Sequence, residues 1–185
     1  MLRMPLVAAG FAVLAMACSG TSQAEPGQGF VAGDGSTAAI PAEEREPAPA
    51  VTGPTLDGEQ LTLADLDGPV VVNFWASWCG PCTTEAPALR RVAKAYDGRV
   101  HFVGVNLKDQ PVAARNFEQY HKIPYPSWDD EAASIAASFG GIGPAALPST
   151  IVLDHEHRVA ARLFGEVDEP RLSAQLDNVL AEGTG

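Results

Sequence analysis

The feature that most restricts the fold is Val-Val-Val-Asn-Phe-Trp at residues 70–75, followed within a few residues by Cys79-Gly80-Pro81-Cys82. A run this short, β-branched and almost unbroken, reads as a strand covered on both faces, because a solvated face would show polar alternation. From about residue 81 the pattern turns helical, and Asp97-Gly98 stops it just after Tyr96. Two cysteines at i and i+3 on the first turn of a helix can bring their sulfurs within bonding range of each other. The first faces unsatisfied backbone N–H groups and the positive end of the helix dipole, both of which stabilise a thiolate. Cys79 is therefore the expected nucleophile, and Cys82, one turn deeper, the expected shielded resolving thiol. Pro81 suits this turn because it has no N–H to leave unsatisfied.

Other uses of such a pair need more than the chain offers. A structural zinc site normally takes four ligands, and there is no second Cys-x-x-Cys; His101, His121, His155 and His157 are scattered. A structural disulfide over so small a loop would stabilise little. The only other cysteine is Cys18, and all three methionines (Met1, Met4, Met16) lie near the N-terminus, which removes thioether ligands for soft metals from the rest.

Residues 55–63 read as a hairpin around Asp57-Gly58. Residues 100–106 form the next buried strand. Residues 112–121 and 131–139 read as helices separated by a loop over 123–130. Residues 150–153 and 159–164 read as antiparallel strands joined by the polar turn 154–157, and 171–180 as a closing amphipathic helix. Strand, helix and strand followed by a hairpin and a last helix make an α/β sandwich around a central mixed sheet. A domain over 51–182 is large enough for one proper core.

The N-terminus has a different character. Arg3 followed by an apolar run over 6–17 reads as an export signal over 1–17, too short for a comfortable span of about 20 residues. Leu14-Ala15-Met16-Ala17-Cys18 resembles the lipobox of bacterial lipoproteins, which implies cleavage before Cys18 and lipidation of that cysteine. Cleavage after Ala24 is the alternative and gives a secreted protein without an anchor. Residues 18–50 are rich in Gly, Pro, Ala and Ser, with Phe30, Val31 and Ile40 as the sizeable apolar residues, and read as a flexible tether. The expected location is extracytoplasmic, on the outer face of the cell membrane. Acidic residues outnumber basic ones 23 to 12 and no basic stripe appears, which argues against nucleic acid. No Lys/Arg cluster follows Cys18, so membrane contact would rest on lipid alone.

Asn73-Phe74-Trp75-Ala76-Ser77-Trp78-Cys79-Gly80-Pro81-Cys82 resembles the active-site segment of thioredoxin-fold proteins, in particular the TlpA/ResA-like extracytoplasmic thiol–disulfide oxidoreductases. The resemblance implies a thioredoxin-like three-layer sandwich with an N-terminal β-hairpin and a central insertion between 109 and 140. It implies a monomer whose redox centre is the Cys79–Cys82 pair, with no cofactor or metal. In that family a proline with a cis peptide bond lies opposite the cysteines and presents the preceding backbone to substrate; Leu147-Pro148-Ser149-Thr150 matches that place. Trp78, Gly80, Pro81 and Leu147 are then the expected docking residues. The family also carries a glutamate three residues after the second cysteine, here Glu85. The helix pattern agrees, because Glu85 falls inside the arc of Ala86, Leu89, Ala93 and Tyr96, where a part-buried carboxyl could exchange protons with Cys82. Cytoplasmic thioredoxins carry an aspartate on the preceding strand where this chain has Asn73, which cannot titrate.

The implied partners are thiols or disulfides of exported proteins and a membrane electron donor or acceptor. The Gly-Pro dipeptide favours a reductant, with cytochrome c precursors as one implied substrate; an oxidant that introduces disulfides is the alternative. A peroxidase would need Thr and Pro around a lone cysteine, and a copper-delivery module would need a histidine in the Pro148 loop; neither is present.

Overall fold

The computed structural model describes residues 35–140 and 146–183; the expected export signal over 1–17, Cys18 and part of the Gly-rich approach to Leu147 lie outside the described residues. In chain order the strands are β1 (Thr37–Ala39), β2 (Thr52–Pro54), β3 (Gln60–Thr62), β4 (Val70–Trp75), β5 (His101–Leu107), β6 (Ser127–Asp130), β7 (Ser149–Leu153) and β8 (Val159–Phe164). The helices are α1 (Gly80–Ala95), α2 (Pro111–His121), α3 (Ser134–Ser138) and α4 (Glu169–Glu182). Six strands form one sheet in the order β1-β8-β7-β4-β5-β6, and β2 and β3 form a separate hairpin. β4, β5 and β6 run parallel, while β7, β8 and β1 each pair antiparallel with a neighbour.

β4 occupies the middle of the sheet, and all six of its residues are buried. Val71 faces Leu89 and Val92 of α1 and Leu172 and Leu176 of α4. Val70, Val72 and Phe74 face the other way, against Val51, Leu63, Trp128 and Phe139. These are the three layers of a thioredoxin-like sandwich, and they explain why the β4 sequence is apolar without alternation. The hairpin turn is where Asp57-Gly58 placed it: Gly58 has φ +86° and its N–H donates to Thr55 O. Among the described residues no helix is long and apolar enough to cross a membrane.

Three elements differ from expectation. Residues 127–130, expected within a loop, form β6 along the outer edge of β5. Ser-Trp-Asp-Asp has one apolar residue and no period to detect; it is a strand because its backbone completes the β5 ladder and Trp128, fully buried, donates Nε1–H to Leu61 O. The helix expected over 131–139 shortens to Ser134–Ser138, with the Asp130 carboxylate accepting from the N–H groups of Ser134, Ile135 and Ala136.

The third difference corrects the domain start at 51 and the part of the expected 18–50 tether that lies at 35–50. Thr37–Ala39 pairs with Leu163, Arg162 and Ala161 of β8, and the chain stays on the domain through Ile40 N–H to Ala160 O, Ala48 N–H to His157 O and Val159 N–H to Glu46 O. Arg45 bridges Asp154 and Glu182, with its own side chain and that of Asp154 buried. Apolar content says little about such a segment. Its order comes chiefly from the unpaired backbone groups of an edge strand and from one buried ion pair, with Ile40 and Ala48 adding a small apolar contact to the core.

Candidate active site

Cys79 stands at the N-cap of α1 in extended backbone, with Gly80 and Pro81 opening the helix. Cys79 and Cys82 are joined by a disulfide across a Cα–Cα distance of 5.3 Å. The Cys79 Sγ accepts from the Cys82 N–H at 3.2 Å, the place an N-cap oxygen would take. As a thiolate that sulfur would keep the same donor, now with the helix dipole behind it. Cys82 is 1% exposed and Cys79 only 6%, so the first cysteine is more covered than its place at a helix start leads one to expect. The exposed surface around it belongs to Trp78, Gly80 and Pro81. Attack on Cys79 would therefore come over this rim.

The opposite wall is the Leu147-Pro148 segment. The peptide bond between these residues is cis, and Leu147 packs on the cluster formed by Leu56, Trp75, Ala76, Cys79, Cys82 and Ala114. β7 starts at the next residue, where Ser149 pairs with Phe74 of β4. The sheet thus brings a loop some 65 residues away in sequence to the cysteines.

Glu85 is 2% exposed and lies in the interior between α1, β4 and the segment after β8. Its Oε1 accepts from Asn73 Nδ2 at 2.9 Å and its Oε2 from the Val167 N–H at 3.0 Å. Asn73 Nδ2 also donates to Thr150 Oγ1 at 3.1 Å, so strands β4 and β7 together orient the amide. Burial raises the Glu85 carboxyl from 4.5 to about 8, against the two hydrogen bonds, which favour ionisation. The result is a carboxyl that can change protonation near neutral pH, one helical turn beyond Cys82. A small void next to Cys82 is lined by Asn73, Trp75 and Tyr125 among others.

Asp109, which no motif of the sequence marks as a site residue, holds the turn before Cys79. Asp109, just past the end of β5, is 7% exposed and accepts four hydrogen bonds. Ser77 N–H donates to Oδ2 at 2.5 Å and Ser77 Oγ to Oδ1 at 2.8 Å; Asn106 Nδ2 donates to Oδ2 at 3.0 Å and Gln110 N–H to Oδ1 at 2.8 Å. Next to it Trp78 Nε1–H donates to Lys108 O at 3.1 Å. The turn that delivers Cys79 is thereby pinned to β5 on the side away from Pro148. Trp75 stacks on Phe117 with centroids 4.6 Å apart and donates to Ser127 Oγ, which in turn donates to Glu118 Oε1 at 2.6 Å. A polar cluster straight after a buried strand, Asn106-Leu-Lys-Asp109, was the available clue. Among the described residues no group of three or more His, Cys, Asp or Glu side chains could hold a metal ion.

Residues 45–162 match the model of the AhpC/TSA family. Thiol–disulfide oxidoreductase ResA of Bacillus anthracis is 28% identical over 134 residues, 71% of this chain and 76% of that protein. Thiol:disulfide interchange protein HelX of Rhodobacter capsulatus is 36% identical over 137 residues, covering 72% of this chain and 75% of its own length. Among solved structures, a secreted thiol–disulfide isomerase from Corynebacterium glutamicum superposes with a TM-score of 0.75 at 28% identity, over 82% of this chain and 96% of that one.

Proposed function

Because the chain belongs to the AhpC/TSA family and is a thiol–disulfide oxidoreductase of the ResA and HelX kind, we propose that it reduces disulfides of proteins outside the cytoplasm through Cys79. The observation that carries this reading is the position of the Cys79 sulfur on the Cys82 N–H at the start of α1. In the reduced protein the Cys79 thiolate attacks one sulfur of the substrate disulfide. The substrate S–S bond breaks, a mixed disulfide forms, and the other substrate sulfur leaves as a thiolate. Cys82 then loses its proton and attacks the Cys79 sulfur. The mixed disulfide breaks, the second substrate sulfur leaves, and the two electrons lost by the cysteine pair have reduced the substrate.

Glu85 is assigned the proton of Cys82: a carboxylate with its affinity for protons raised to about 8 can accept it and later return it. Pro148 and Leu147 hold the substrate backbone opposite the cysteines, and Trp78, Gly80 and Pro81 form the rim on which it rests. The substrates we propose are disulfides of exported proteins, including those of cytochrome c precursors, with a membrane protein as electron donor. The mature chain is held to the outer face of the membrane through lipidated Cys18. Mass spectrometry of the mature N-terminus tests the anchor.

The test of the central reading is a trap. A Cys82→Ser variant should retain its substrate as a mixed disulfide at Cys79, releasable by dithiothreitol. The same capture by a Cys79→Ser, Cys82→Ser double variant refutes it, and so does no capture by the single variant in the native host. Iodoacetamide at mildly acidic pH should modify Cys79 of the reduced protein far faster than Cys82; equal rates refute the assignment of nucleophile and resolver.

A further inference from the structure

The segment 164–167, which leaves β8, touches two parts of the site at once. Gly165 N–H donates to Pro148 O at 2.9 Å, and two residues on Val167 N–H donates to Glu85 Oε2 at 3.0 Å. Between them Glu166 points outward. Phe164 ends the ladder of β8 opposite Ser149; residues 165–167 beyond it belong to no strand or helix, and Gly165 turns them with φ +74°, a backbone region open to glycine at little cost.

The segment's carbonyls are braced by Arg171, in the first turn of α4. Its Nη1 donates to Glu166 O at 2.9 Å and its Nη2 to Phe164 O at 3.3 Å. The same guanidinium reaches β1, with Nε on Thr37 Oγ1 at 2.7 Å and Nη2 on Ser36 O. A planar fork of fixed donors is suited to fixing two carbonyls of one bend; a lysine carries the charge but not the fork.

We infer that Arg171 is a positioning residue for Glu85: it braces segment 164–167 so that the Val167 N–H stays on the carboxylate while Gly165 stays on Pro148. The proton carrier and the substrate-facing proline then share one support, remote from the cysteines in sequence. This inference rests on the role proposed above for Glu85.

The charged groups around Glu85 define the sign. Glu166, on the braced segment, disfavours the ionised form, and Arg171 favours it by its charge. Cys82 precedes Glu85 on α1, and Tyr125, which lines the void next to Cys82, feels the Glu85 charge. Removing Arg171 weakens the Val167 hydrogen bond and takes away a positive charge. Both changes disfavour the carboxylate, so the titration of Glu85 must move upward.

The test follows the Glu85 carboxyl by NMR in the full chain labelled with ¹³C at glutamate Cδ, assigned by Glu85→Gln, in the disulfide form where neither cysteine titrates. Arg171→Met should raise the Glu85 midpoint by roughly half a pH unit or more. Arg171→Lys should raise it by less, and Thr37→Val, which removes only the Thr37 Oγ1 acceptor of Arg171, should leave it in place. An unmoved midpoint in Arg171→Met overturns the inference; if that variant does not fold, an unmoved midpoint in Arg171→Lys does so. An equal shift in Thr37→Val also overturns it, since the effect would then come from β1. A wild-type midpoint in the ordinary carboxylate range would instead remove the proton-carrier role of Glu85, a separate failure.

Discussion

Glu85 and Asp109 are both buried acids, yet they differ in what the surroundings allow. Asp109 accepts four hydrogen bonds, which compensate a charge. Glu85 accepts two and has its proton affinity raised to about 8. The consequence for stability has a definite sign. The unfolded chain releases this proton near 4.5 while the folded chain keeps it up to about 8. The native state therefore loses stability as pH rises across that interval, and the loss levels off above it. Glu85→Gln should remove this slope: urea midpoints of the wild type should fall relative to the variant between about pH 5 and 8 and run parallel beyond. The same variant should flatten the pH dependence of exchange over that range in stopped-flow assays. At Asp109 the expectation is different. An amide there must turn an NH₂ toward donors already aimed at it, so Asp109→Asn should slow reduction of a protein disulfide about tenfold, equivalent to about 1.4 kcal/mol, the scale of one hydrogen bond to a charged group.

At the level of elements, the site depends on how closely β4, β5 and β6 approach. Gly104 of β5 lies where an added Cβ would clash with Ser127 Oγ and sit 2.7 Å from Trp75 Nε1. A glycine in a central strand, which ordinarily weakens it, here makes room for the hydrogen bond that orients Trp75 beneath the cysteines. Gly104→Ala should cost at least about 2 kcal/mol in urea denaturation, in the range of overpacked cores, and slow exchange because Trp75 must move. The strand pattern was legible in the sequence because β4 and β5 are covered on both faces by hydrocarbon. β6 was not, since its membership depends on backbone pairing with β5 and on a single tryptophan. α1 was legible from its cap and apolar arc even with Pro87 inside it. The arc also carried one anomaly, a glutamate on the buried side.

For the whole molecule, the N-terminal segment closes one flank of the sheet. β1 covers β8, and the far flank is the short β6, whose outer side is met by Thr55, bridged to Trp128, and by Leu56, whose N–H donates to Ser127 O. A chain shortened to begin at residue 51 should expose the β8 edge. It should be less stable in urea than one beginning at 35 and associate at high concentration in light scattering. Arg45→Met tests the same flank without shortening it. It leaves the buried Asp154 with Arg158 as its remaining cation and should cost about 3 kcal/mol.

The chemistry and the outline of the fold were determined by sequence alone, because they rest on short-range features. A buried strand, a helix start and two cysteines one turn apart lie within 13 residues, and neighbours in sequence remain neighbours in space. The sequence could also place a carboxyl on the apolar side of α1. Only tertiary structure decided what that carboxyl touches. Asn73 and Val167 reach it from separate stretches of chain, with Thr150 from a third holding the amide, as Ser77 reaches Asp109 across 32 residues. It also decided that residues 37–50 belong to the domain, through backbone hydrogen bonds to an edge that no local pattern announces. Hydrogen-bond partners far apart in sequence are set by topology, and topology is fixed only when the layers pack.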